Sequence, residues 1–280
     1  MFKFLFIVKL MNCFCFFLLP ALADICAGDK KCNKQTRGCY RMFVVEREIS
    51  GTGFILRYVS GIVKPISGIT WCRVYYAPTF IHLMSPDFYP GPLPVWIQNA
   101  VNGRKADFYA GRYAASKALQ AAEVSNIFVG STAQGIPVWP NGWRGSITHT
   151  GEIALAVAGR RSDVEIIGVD CEYYSSDIAK EISDSVLTAE EKNYLLTLNM
   201  SFLLATMIVF SGKESLYKAL WPDVRHFFDF SAAKIFLIDV KEKMFFMRLT
   251  ETLSEHWTKG TTIRGHFIFE NHYITTIIMQ

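Results

Sequence analysis

Two carboxylates, one residue apart, close the apolar run Ile166-Ile167-Gly168-Val169-Asp170-Cys171-Glu172. On a strand the side chains alternate, so Asp170 and Glu172 share a face at about 7 Å. At the end of a buried strand such a pair repels unless something positive sits between the two. A divalent cation does this well, magnesium in particular, since it takes a few carboxylates and completes its shell with water and phosphate oxygens. The plainer reading is a strand running into solvent with both groups hydrated. For an isolated D-x-E pattern that reading wins.

Three further segments carry chemistry. In Phe210-Ser211-Gly212-Lys213-Glu214-Ser215-Leu216-Tyr217-Lys218-Ala219, Glu214 and Lys218 stand four apart, and an ordinary surface ion pair there is worth roughly 0.3–0.5 kcal/mol. Apolar neighbours on both sides bury part of that helix, and a third carboxylate between two lysines suits a metal with a pyrophosphate. In Trp139-Pro140-Asn141-Gly142-Trp143-Arg144-Gly145-Ser146-Ile147-Thr148-His149, glycines let backbone N–H groups approach an anion, and His149 could donate to a phosphate. A lone histidine is more often structural. In Arg104-Lys105-Ala106-Asp107-Phe108-Tyr109-Ala110-Gly111-Arg112, the outer arginines fall on roughly one helix face. The bland alternative is a solvated basic face.

These residues need elements to hold them. Short apolar segments with glycine punctuation predict strands at 43–45, 54–56 and 71–76. Five prolines make 78–94 a loop. Helical spacing of Phe108, Ala115 and Leu119 predicts a helix from Pro94 to about Ala122. Strands follow at 146–149, 153–158 and 164–169. A second helix runs from Ala189 to about Leu220, and strands follow at 234–240, 244–249 and in a hairpin of 263–269 with 273–279 turning at Asn271-His272. Each half thus reads as a helix with an antiparallel meander. The basic pairs Arg112/Lys117 and Lys213/Lys218 repeat a spacing of five. The expected class is α+β, two similar lobes related by a pseudo-two-fold, each a helix packed on an antiparallel sheet. The divisions are 1–41 as a hydrophobic leader or extension, 42–160 as the N-terminal lobe and 161–280 as the C-terminal lobe.

The chain has 280 residues, 51% hydrophobic and 19% charged, with a net charge of +4. That is enough apolar material for a sizeable core. Without Lys/Arg blocks or a nucleic-acid-binding signature, no nucleic-acid partner is expected. Seven cysteines, five of them before residue 40, are no disulfide framework. Cys26, Cys32 and Cys39 lack zinc spacing. Residues 1–23 read as a secretory signal, with Lys3, an apolar stretch and a small-residue Pro20-Ala21-Leu22-Ala23 end. An N-terminal extension ahead of Met42 is the alternative.

Taken in order, four motifs resemble one family: R-x-x-x-F-x-x-G-R-x-A-A, P-x-W-P-x-G-x-x-G-S-I-T-H, G-V-D-x-E and F-S-x-K-E-S-L-Y-K-A. They are similar to the phosphopantetheinyl transferases associated with enterobactin synthetase (its component D) and with other siderophore, nonribosomal peptide and polyketide systems. The resemblance runs from about residue 98 to 230. It implies that Asp170, Glu172 and Glu214, with the intervening Cys171, form the site of a catalytic Mg2+. It implies that Lys213 and Lys218 lie near the phosphates of coenzyme A, the substrate, and that Arg104 and Arg112 bind its 3'-phosphate end. Thr148 and His149 match the phosphate-contacting end of the second motif.

The implied reaction moves 4'-phosphopantetheine from coenzyme A to a serine of an apo acyl, peptidyl or aryl carrier protein, releasing 3',5'-adenosine bisphosphate. The implied base is Glu214 or Glu191, with Glu190 adjacent. Ser116 stands where many relatives carry arginine, and Ser131-Thr132-Ala133-Gln134 where many carry a basic residue. Cys171 and Gly212 replace an aliphatic residue and an alanine. Coenzyme A chemistry places the protein in the cytoplasm, against the signal-like leader, with peripheral membrane or synthetase association left open. Residues 1–41 are expected to be dispensable for activity. The competing readings are another magnesium-dependent phosphotransferase and an exported non-enzymatic protein whose acidic pair is structural.

Overall fold

A strand reading Ile-Ala-Leu-Ala-Val-Ala-Gly-Arg, apolar on both faces, is stable only where both faces are covered. Residues Ile153–Arg160 form that strand and are buried up to the final arginine. The computed structural model describes residues 42–280 apart from 65, 67, 85–88, 90 and 92. The leader, the signal-like segment and the five early cysteines fall outside the described residues.

The N-terminal lobe comprises β1 (Phe43–Ser50), β2 (Ile55–Val63), β3 (Thr70–Tyr76), α1 (Val95–Gln98), α2 (Asn102–Ala121), the short pair β4 (Gly130–Ser131) and β5 (Pro137–Val138), β6 (Trp143–Thr150) and β7 (Ile153–Arg160). Its five-stranded sheet is antiparallel in the order β1-β2-β3-β7-β6. The inward side of α2 is made of alanines at 106, 110, 114, 115 and 118, all fully buried, so the helix lies close on the sheet.

The C-terminal lobe comprises β8 (Ile167–Tyr173), α3 (Ser176–Val186), α4 (Ala189–Leu195), α5 (Phe202–Val224), β9 (Ala233–Asp239), β10 (Met244–Leu249), β11 (Thr262–Glu270) and β12 (Tyr273–Met279). The sheet order is β8-β12-β11-β10-β9. Asn271 and His272, at the β11–β12 turn, both take positive φ, 50° and 65°, as a two-residue hairpin turn demands.

The lobes share a plan. In each, a first strand (β3, β8) leads to a long helix (α2, α5), and a later hairpin returns so that its second strand (β7, β12) pairs antiparallel with the first. The N-terminal lobe extends its sheet beyond β3, the C-terminal lobe beyond β11. The lobes meet through one apolar cluster that includes Trp71, Leu155, Val157, Val169 and Ile277. The class is α+β, as expected. Among the described residues no helix is long and apolar enough to cross a membrane.

Several elements differ from the sequence reading: the strand expected at 164–169 runs Ile167–Tyr173, that expected at 54–56 runs Ile55–Val63, and the stretch 78–94 opens with a short 3-10 helix at Pro78–Leu83. The helix expected from Pro94 breaks at 99–101, where Val101 is extended (ψ 156°) and Asn, β-branched and Gly residues disfavour a helix interior. The stretch expected from Ala189 to Leu220 is two helices, separated at 196–201. The α3 helix was missed. Its Ser175 hydroxyl accepts from the Ile178 amide, and Ala179, Ile182 and Val186 turn inward at helical spacing.

Candidate functional site

Helix α5 must lie very close to β8 and β12 for its polar residues to reach the acidic pair. Small residues make that approach. A Cβ on Gly168 would stand 2.0 Å from the Ser215 carbonyl oxygen. Beside it, the Ser211 and Thr276 hydroxyls are 2.9 Å apart, and the Ser215 hydroxyl donates to the Thr276 carbonyl at 3.0 Å. These bonds satisfy polar groups that such close packing would otherwise bury unpaired.

The result is an acidic cluster at the seam between lobes. Asp170 is 2% exposed. Its Oδ1 accepts from Lys218 Nζ at 2.6 Å and from Thr148 Oγ1, across the seam on β6, at 3.1 Å. Its Oδ2 is buried and has no partner, and neither has Glu214 Oε1. Burial pushes the Glu214 carboxyl up to about 7, with the charge of Asp170 adding to it and Lys218 opposing. Burial, then Asp170, also raises Glu172 well above the usual carboxylate range, Lys218 again opposing. Lys218 is raised: burial works against its charge, but Asp170 and Glu214 outweigh it. One ammonium thus serves three carboxylates.

The N-terminal lobe supplies positive charge to the same seam. His149, on β6, lies beside Asp107: Nδ1 is 3.7 Å from Asp107 Oδ2, and the Tyr76 hydroxyl donates to Asp107 Oδ1 at 2.8 Å. Arg104 Nη1 is 3.5 Å from His149 Nε2. Burial lowers the His149 pKa; Asp107 opposes this and Arg104 and Lys218 reinforce it. Arg112 is 7% exposed. Its Nη2 reaches the Ser131 hydroxyl at 3.3 Å and the Gly135 carbonyl at 3.4 Å, while its Nε has no partner. Among the described residues it pairs with no carboxylate, and burial pushes it down to about 10 against the opposing Tyr89. The two arginines share an aromatic platform. Arg104 lies 5.7 Å from the Trp96 ring and Arg112 4.9 Å from the Phe108 ring, and those rings meet edge-on at 5.7 Å.

The structure therefore brings Asp170, Glu172, Glu214, Lys218, Thr148 and His149 together, with Arg104 beside them and Arg112 further along α2. It does not bring Lys213 or Glu191 there. Both are buried in an ion pair with each other, and the Glu191 carboxylate already accepts from the Thr188 and Ile235 amides. The expectation that Lys213 lies near phosphates, and that Glu191 could serve as base, is corrected on this ground. Cys171 is corrected too. Alternation along β8 turns its thiol into the apolar cluster between lobes, where Thr275 donates to it at 3.5 Å and burial pushes it up to about 11. The Thr148 hydroxyl donates to the Asp170 carboxylate. Ser116 turns its hydroxyl back onto the Tyr113 carbonyl.

Asp107, Tyr76 and Trp96 were missed. Asp107 could have been found, being three residues after Arg104 on one helix face. Tyr76 and Trp96 gave no local signal.

Among the described residues no three His, Cys, Asp or Glu side chains form a ready metal cage. The donor set nevertheless fits a hard cation. Two buried carboxylate oxygens on opposite elements lack partners, and two carboxyls are raised by burial, with the charge of Asp170 adding to each. The two unpartnered oxygens lie in a seam that also holds Lys218, His149 and Arg104, an arrangement suited to a phosphorylated ligand with a bridging divalent ion.

The family model described as 4'-phosphopantetheinyl transferase N-terminal domain matches residues 94–159, and that described as 4'-phosphopantetheinyl transferase superfamily matches 166–277. The chain is 38% identical over 125 residues to enterobactin synthase component D of Salmonella typhi, covering 44% of this chain and 51% of that protein. It is 31% identical over 139 residues to the 4'-phosphopantetheinyl transferase Npt of Nocardia iowensis, 50% of this chain and 62% of that one. A third relative, the 4'-phosphopantetheinyl transferase PptT of Mycobacterium tuberculosis, is 30% identical over 139 residues, with 50% and 61% covered. The chain thus spans between half and two thirds of the length of these relatives.

Proposed function

Because the chain belongs to the 4'-phosphopantetheinyl transferase superfamily, we propose that it transfers 4'-phosphopantetheine from coenzyme A to a serine of an apo carrier protein. The observation that carries this reading is the pair of unpartnered buried oxygens, Asp170 Oδ2 and Glu214 Oε1, facing Lys218 across the seam from His149.

Asp170, Glu172 and Glu214 would hold magnesium, which when bound neutralises the pyrophosphate and eases departure of the nucleotide. Lys218 is placed to hold the phosphate charge that grows as the P–O bond lengthens. Thr148 keeps the Asp170 carboxylate turned so that one oxygen stays open. Arg104, Arg112 and His149 bind the phosphate at the nucleotide end, and the Trp96–Phe108 platform holds the two guanidiniums in place. The serine oxygen attacks the β-phosphorus, its proton passes to Glu214, and 3',5'-adenosine bisphosphate leaves. The substrate supply implies a cytoplasmic protein, and the names of the first relatives point to siderophore carrier proteins.

The test is to incubate the protein with coenzyme A, magnesium and a panel of apo carrier proteins. The expected result is a phosphopantetheine mass gain on a carrier serine, lost without magnesium. No gain on any carrier would overturn the reading.

A further inference from the structure

Lys213 is 3% exposed and Glu191 fully buried. Lys213 Nζ stands 2.9 Å from Glu191 Oε1, 3.0 Å from Oε2 and 2.8 Å from the Val186 carbonyl. The carboxylate also accepts from the Thr188 amide, closing the capping box of α4, and from the Ile235 amide on β9, each at 2.8 Å. One ion pair therefore ties the end of α3, the start of α4, an edge strand and α5. A buried pair is a poor source of stability compared with apolar packing, but it rejects other arrangements sharply, since any shift strands a charge. Lys213 is also the residue before Glu214, so on a helix the direction of one side chain fixes that of the next.

We propose that Lys213 and Glu191 are a positioning pair, which sets the rotation of α5 and so holds Glu214 and Lys218 against Asp170. The pair touches no substrate. Its effect on turnover rests on the transferase reading; its effect on geometry does not.

The test uses the full chain with Lys213→Met, Glu191→Gln and both together, and three measurements. Crystal structures read the Lys218–Asp170 contact, which is 2.6 Å in the native protein. Thermal unfolding reads the coupling between the two sites, and steady-state kinetics separates kcat from KM. Each single variant should lengthen the Lys218–Asp170 contact and lower the melting temperature. Each should also cut kcat about a hundredfold at little change in KM for coenzyme A, the size expected for a misplacement near 1 Å. The double variant strands no charge, so it should restore the contact and recover kcat to within about tenfold of wild type. Native kcat in the folded single variants would make the pair purely structural and overturn the proposal. So would a Glu191→Gln variant, dead with its contact intact, that the second substitution fails to rescue. That outcome would return Glu191 to the role of base. If the wild-type protein transfers nothing, the transferase reading fails, and the contact length alone then decides for or against the pair.

Discussion

The two lobes repeat one plan but treat buried charge in opposite ways. Helix α2 rests on its sheet through alanines and carries a nearly buried guanidinium, Arg112, with no carboxylate paired to it among the described residues. Helix α5 rests on its sheet through Gly168, Ser211, Ser215 and Ala219, and carries a carboxylate among carboxylates. Each half by itself holds an expensive, incompletely paired charge. Together they present cations and anions to a shared seam, joined by the bond from Thr148 to Asp170. The plan supplies the scaffold, and divergence in charge makes the site.

The sharpest way to break the comparison is to neutralise one side of it. Glu214→Gln and Glu172→Gln should each lose about a hundredfold or more in turnover. Each should also melt slightly higher without divalent ions, since like-charge repulsion falls. Asp170→Asn should lose as much rate but gain no stability, because it gives up the Lys218 pair. Carrier-loading assays run beside melting curves separate the two cases, and native rates in all three variants would remove the acidic cluster from the chemistry.

A second contrast concerns how close each helix can lie. Gly168→Ala drives a methyl into the Ser215 carbonyl at 2.0 Å and should cost about 3 kcal/mol. Gly111→Ala meets the Ile147 methyl at 2.9 Å but gains helix propensity, so it should fall within about 1 kcal/mol of native. Denaturant titration of both variants measures the difference. Equal costs would mean the close approach is not special to α5.

On the cationic side, Arg112→Met should leave the fold at least as stable, since no ion pair is lost, while raising KM for coenzyme A about tenfold with turnover largely kept. A collapsed kcat at native KM would move Arg112 from binding to chemistry.

The smallest effect is one of pH. Glu214 binds its proton more tightly folded than unfolded, so its contribution is fully present below pH about 4.5 and is lost as pH rises through about 7. Ion-free protein should thus lose stability over that interval. Melting curves across pH should show the decline in the native protein and a flatter profile in Glu214→Gln.

The sequence made the fold class and the acidic cluster legible because both rest on periodicity. Alternation put Asp170 and Glu172 on one face of β8, and a spacing of four put Glu214 beside Lys218. Alternation also held the correction for Cys171, whose odd position turns it away from its neighbours. What the sequence could not show depends on contacts between distant residues. Lys213 looked like a phosphate ligand until Glu191, 22 positions earlier, was found buried against it. Tyr76 and Asp107 are 31 apart, and no pattern within either segment marks the bond between them. Helix α3 is a different case: its inward residues had the right period, and its short length between two strong elements hid it.

Strand β8 has as its sheet neighbour β12, and the bonded residues Cys171 and Thr275 are 104 positions apart. Loops of that length close slowly, and such pairings form late. During synthesis the N-terminal lobe can fold as it emerges, whereas the acidic face stays without its neighbouring strand until nearly the whole lobe exists. A chain that stops short of β12 therefore leaves Asp170 and Glu172 on a strand without that neighbour.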